Sequence, residues 1–134
     1  MKKHGLLVLA LWIGLPASSQ PPITESMGSY YHTPEQKALE AYARGIRLKR
    51  RAEAEKDLEK QAKLYLKAKE ELSKSVGYHG HYDGYLALGQ VYLALGQKDS
   101  ALDSCSRAQA MKPNDEMAKT CIEKAKTATD RVDE

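Results

Sequence analysis

The stretch that decides the fold is Tyr82–Asn114, YDGYLALGQVYLALGQKDSALDSCSRAQAMKPN. Gly84 to Leu95 reads as one helix, closed by Gly96-Gln97-Lys98-Asp99, and Ser100 to Met111 as a second, closed by Lys112-Pro113-Asn114. Gly89 and Ala101 carry little or no side chain, which lets two helix backbones approach closely. Tyr85 and Tyr92 supply rings to fill the groove between them, and Pro113 stops the second helix. The stretch is therefore expected to be an antiparallel helical hairpin.

The same reading extends upstream. At Thr33-Pro34-Glu35-Gln36 a Thr caps the free amides of a first turn, Pro fits its first position, and Gln36 reaches back to complete a capping box. Leu39, Tyr42, Ala43, Ile46 and Leu48 then recur at three- and four-residue intervals, the period of one helix face, and are expected to point inward. A second helix is expected from Asp57 to Ser75, with Leu58, Ala62, Tyr65, Leu66, Ala68 and Leu72 inward and an end at Gly77. The run Arg44, Arg47, Lys49, Arg50, Arg51 followed by Glu53, Glu55, Asp57 and Glu59 reads as a solvated face of alternating charge, with Arg51 and Glu55 as an i,i+4 pair. A last helix from about Asp115 to Thr129 is apolar only at Met117, Ala118, Ile122, Ala125 and Ala128. The fold class expected is all-α.

Residues 1–19 read as a secretory signal peptide. Lys2 and Lys3 give a positive start, Leu6 to Leu15 an apolar run, and Pro16 precedes the small residues Ala17-Ser18-Ser19, placing cleavage between Ser19 and Gln20. Ten apolar residues fall well short of the roughly twenty that cross a bilayer, so no membrane insertion is expected after cleavage. Residues 20–33, with Pro21, Pro22 and Gly28, read as a flexible lead-in. Of 21 Lys and Arg, two lie in the leader, leaving 19 against 18 acids, which removes the electrostatic case for nucleic acid. The only Asn, Asn114, opens no glycosylation sequon, so the exported protein is placed in a bacterial periplasm ahead of a glycosylating secretory route.

Tyr82–Asn114 closely resembles a tetratricopeptide repeat, whose pattern is a large aromatic, Leu-Gly, Tyr, then small-x3-large-x2-small and a closing Pro. Tyr85, Leu88-Gly89, Tyr92, Ala101, Ala108 and Pro113 occupy those positions, while Cys105 stands where a bulky aromatic is usual. Residues 34–77 resemble a divergent first copy, with Gly45 in the role of Gly89 and Tyr65-x2-Ala68 in the role of Cys105-x2-Ala108. Gly45 to Gly89 is 44 residues and Tyr65 to Cys105 is 40, a difference of about one helical turn, so the first helix is expected to run longer, through roughly Glu55. Residues 115–130 look like a polar end cap, with Lys119 and Glu123 at the places of Tyr85 and Gly89.

The resemblance implies a binding scaffold whose concave face, lined by the first helix of each repeat, holds a segment of another protein. The matching positions are Asp83, Leu86, Gln90, Leu93 and Ala94. The family's clamp for C-terminal carboxylates needs Lys, Asn and Arg there, which Leu86, Ala87 and Gln90 do not supply; an apolar or amphipathic segment fits better. Two further readings stay open: self-association through open repeat faces, and metal binding at His79-Gly80-His81, with His32 distant. Cys105 and Cys121 are candidates for a disulfide that would close a loop of about fifteen residues and stabilise by roughly 3 kcal/mol. No nucleophile elbow, phosphate-cradling glycine loop or His-Glu-x-x-His helix occurs, so no enzyme activity and no cofactor are expected.

Overall fold

The computed structural model describes residues 32–128. The leader, its Ser19–Gln20 cleavage and nearly all of the lead-in lie outside the described residues, as do 129–134. Five helices follow one another: α1 (Pro34–Ala54), α2 (Leu58–Tyr78), α3 (Tyr82–Ala94), α4 (Lys98–Met111) and α5 (Glu116–Thr127). Among the described residues there is no strand.

Local chemistry sets the ends of these helices. The Thr33 hydroxyl accepts the Gln36 N–H at 3.2 Å and the Gln36 amide oxygen accepts the Thr33 N–H at 2.9 Å, a full capping box. Asp57 accepts from the Glu59 and Lys60 amides at 3.0 and 3.1 Å, and Asp115 from that of Met117 at 2.8 Å. Gly96 turns left-handed at φ 73°, so its N–H reaches the Leu93 carbonyl and the Gln97 N–H reaches that of Tyr92, satisfying the last carbonyls of α3.

Residues that meet across α1 and α2 count in opposite directions: Ala38 with Ser75, Gly45 with Leu72, Ala52 with Gln61. The two helices are thus an antiparallel hairpin. A Cβ added at Gly45 would lie 2.6 Å from Leu72 Cγ, and one at Gly89 would collide with Cys105 Sγ. Each hairpin is pinched at one glycine. Around the first pinch Ala68, Leu72 and Ser75 are fully buried, and around the second Ala101, Cys105 and Ala108 are. Both triplets share the spacing small-x3-large-x2-small, offset by 33 residues, so the counterpart of Cys105 is Leu72. The expected alignment on Tyr65-x2-Ala68 is seven residues, or two turns, out of register.

That register accounts for the length difference between the hairpins. The pinch glycines are 44 residues apart and the triplets 33, so the first hairpin is longer by eleven. Nine residues follow Gly45 in α1 but five follow Gly89 in α3, and ten precede Ala68 in α2 but three precede Ala101 in α4. The first helix gains one turn and the second gains two. The three-residue turns, 55–57 and 95–97, are equal.

The inward faces of α1 and α2 also differ from expectation. Ala38, Ala41, Gly45 and Ala52 are buried on α1, whereas Leu39 is 61% exposed and Ala43 is exposed; Tyr42, Ile46 and Leu48 are half-buried at the margins. On α2, Leu58 and Leu66 are 79% and 46% exposed and Ala62 is exposed. Close backbone approach admits mainly small side chains along the contact line, with Leu72 seated where Gly45 leaves room, so other larger apolar residues are displaced to its edges or beyond. α2 also runs through Gly77 to Tyr78, and α5 ends at Thr127. On α1 the i,i+4 ion pair that forms is Lys49–Glu53 at 2.6 Å, and Glu55 caps the helix beyond its last turn instead of reaching back to Arg51.

α3 is the common wall of two core clusters. Ala87, Leu88 and Val91 face Ala68 and Leu72, while Tyr82 and Leu86 face Cys105, Ala108, Ala118 and Cys121. The Cys105–Cys121 disulfide ties α4 to α5 inside the second cluster. Gly45→Ala should lower stability by up to about 2 kcal/mol, because overpacking against buried Leu72 outweighs the helix-propensity gain of about 1 kcal/mol. Gly77→Ala, with nothing within 4 Å of its added Cβ, should raise stability by about 0.5–1 kcal/mol. Urea denaturation of both variants checks the pair.

Candidate partner-binding groove

A groove of about 500 Å³ opens between alternate helices of the chain. α1 contributes Lys49 and Glu53, α3 contributes Gln90 and Leu93, and α5 contributes Glu116, Met117, Thr120, Cys121 and Lys124; Tyr65 of α2 closes one side. Glu53 lies in the extra turn of α1, so the unequal hairpin lengths help to form the wall. Met117 is 57% exposed although it is apolar, and Leu93 is half-buried against the second core cluster. The rim carries both charge signs, with Lys49 paired to Glu53 and Lys119 to Glu116 at 3.1 Å.

Of the five positions read from the sequence as partner-binding, Gln90 and Leu93 line this groove. Leu86 does not: it is 6% exposed within the core formed with Cys105, Ala108 and Ala118, because α5 packs over it. Asp83 and Ala94 are exposed outside the groove lining. The α5 residues were missed because that helix was read only as a cap. Met117, Thr120 and Lys124 nonetheless share one face at i, i+3 and i+7.

Among the positions matched to repeat packing, Leu88, Gly89, Ala101, Cys105 and Ala108 are buried. Tyr85 and Tyr92 are half-buried and line a separate open cleft of about 650 Å³ between α2, α3 and α4, where the Arg107 guanidinium lies 5.8 Å from the Tyr85 ring centre. Pro113 is exposed in the turn after α4. On the charged face of the first hairpin, Arg44 pairs with Glu71 across α1 and α2 at 2.7 Å, which holds the Glu71 carboxyl below its ordinary value.

The histidine-rich connector is structural in its geometry. His81 Nδ1 accepts the Gly84 N–H at 3.1 Å and so caps α3. Its Nε2 lies 2.9 Å from Ser75 Oγ, which donates to the Ala38 carbonyl at 2.7 Å. With Nδ1 accepting, the ring proton belongs on Nε2, and a relay runs from α3 through α2 to α1. Both ring nitrogens are engaged, and the Tyr42 ring stands edge-on at 5.4 Å. His79 is half exposed, 3.7 Å from Glu35. Among the described residues no group of three or more His, Cys, Asp or Glu is placed to hold a metal ion, and no helix is long and apolar enough to cross a membrane.

Comparison with protein families, with curated proteins and with solved structures finds no match to this chain.

Burial lowers the His81 pKa from its ordinary 6.5, against an opposing pull from Asp83 and with a smaller push from His79. The folded state therefore favours the neutral ring. Its stabilising contribution is complete above pH 6.5 and is lost as pH falls through the lowered folded value. The melting temperature should decline between pH 7 and pH 5 more steeply in the parent than in His81→Asn, which can cap α3 without titrating. Parallel slopes would show that the relay does not depend on the neutral ring.

Proposed function

We propose that this chain is an exported, non-catalytic scaffold of the tetratricopeptide-repeat kind, holding an amphipathic segment of a partner protein in the groove between α1, α3 and α5. The observation that carries the reading is the composition of that groove. Leu93, Met117 and Tyr65 offer apolar contact while Gln90, Thr120 and paired rim charges offer hydrogen bonds, the mixture an amphipathic helix or strand requires. The 33-residue offset between the two buried triplets, one on the second helix of each hairpin, supports the repeat reading. Export rests on the leader read in residues 1–19, and a periplasmic partner follows from it.

The test places a photocrosslinking side chain at Met117, with one at exposed Ala43, outside the groove, as control. A partner segment captured only from Met117 should, as a synthetic peptide, bind the purified chain at least tenfold more weakly when Leu93→Glu and Met117→Glu are combined. The double variant must keep its helicity and melting temperature. Undiminished peptide binding, or equal capture from both positions, overturns the reading.

A further inference from the structure

The eleven extra residues of the first hairpin leave a second surface, distinct from the groove and independent of the function proposed for it. Leu58 and Ala62 lie in the two turns of α2 that have no counterpart in α4, and Leu66 follows one turn later. Spaced at i, i+4 and i+8, they form one apolar ridge, with Leu58 79% and Leu66 46% exposed. In the C-terminal half of α2, Ser73 and Val76 face the cleft shared with α4, and no residue of α2 before Ser73 lines that cleft.

We infer that this ridge pairs with the same ridge of a second copy about a twofold axis through Ala62. The argument is complementarity of the ridge with itself. Ala62, the smallest of the three, stands at the centre, where two helices must come nearest, and antiparallel pairing sets Leu58 of each copy against Leu66 of the other. Charge along the segment is uneven: Glu55, Asp57 and Glu59 outnumber Lys56 and Lys60 at its start, while Lys63, Lys67 and Lys69 follow its middle. Reversing one copy over the other lays the acidic end on the basic end, and Glu59 of each copy meets Lys63 of the other. Within one chain these two already pair at 2.7 Å while remaining 79% and 67% exposed, so the twofold joins two such pairs into a four-charge group. A parallel arrangement would instead oppose like charges. The contact is short and belongs to the small end of protein interfaces, so the dimer dissociates on dilution.

Sedimentation equilibrium of the full chain from about 1 to 500 µM should show a reversible rise from one copy to two. Ala62→Glu, with helicity and melting temperature unchanged, should weaken the dimer at least tenfold. Glu59→Lys should weaken it as well, and Glu59→Lys combined with Lys63→Glu should restore it. Ala62→Cys should oxidise to a covalently linked dimer, whereas Ala43→Cys, exposed on α1, should not. A single-copy mass over the whole range, as expected if another protein covers the ridge, overturns the inference. So does a dimer indifferent to Ala62→Glu or a linked dimer formed equally by Ala43→Cys.

Discussion

Close approach of helix backbones is the constraint on which this structure depends. Among the described residues nine of the sixteen buried apolar side chains are alanines, and the largest fully buried ones are Leu72 and Val91. A core made of such small groups reaches native packing density only if the helices nearly touch. Gly45 against Leu72 and Gly89 against Cys105 are where they do so. Each glycine sits in mid-helix at a propensity penalty of about 1 kcal/mol relative to alanine, which a chain with no Phe and little bulk to spare offsets by packing. The disulfide follows from the same geometry, since Cys121 Sγ also lies 3.2 Å from the Cβ that Gly89 lacks.

From that pinch the remaining architecture can be followed outward. Both hairpins are pinned at equivalent positions and joined by equal turns, so the first hairpin's eleven extra residues extend it away from its neighbour. One consequence is the groove, where Glu53 at the end of α1 stands across from Met117 of α5. The other is the uncovered apolar ridge of α2. Glu53 of the groove wall and Leu58 and Ala62 of the ridge all lie in the part of the first hairpin that has no counterpart in the second.

The register of the two hairpins on one another rests on α3. It supplies Ala87, Leu88 and Val91 to one core cluster and Leu86 to the other. Its N-terminus is held by His81, whose other nitrogen meets Ser75, a fully buried serine at the small-residue position of the first triplet. A buried hydroxyl there needs partners for both its donor and its acceptor, and the Ala38 carbonyl and the histidine provide them. The connector is thus a joint between three helices.

Capping chemistry and local spacing determined much by sequence alone. Thr33-Pro34-x-Gln36 starts α1 and Gly96 ends α3, because each depends on residues within one or two turns of one another, while the Gly89–Ala101–Cys105–Ala108 pattern marks the tight hairpin by spacings that run across two successive helices. What sequence alone left undecided was which apolar stripe of α1 and α2 turns inward. Leu39, Leu58 and Leu66 satisfy helical periodicity as well as Ala38, Ala41 and Ala52 do, and hydrophobicity favours the leucines. Only the packed structure selects the alanines, since the choice depends on how near the partner helix lies. The same holds for Leu86, whose helix position is fixed locally but whose burial is imposed by α5 from thirty residues away. Periodicity is a property of one helix, whereas the distance between two helices belongs to the assembled fold.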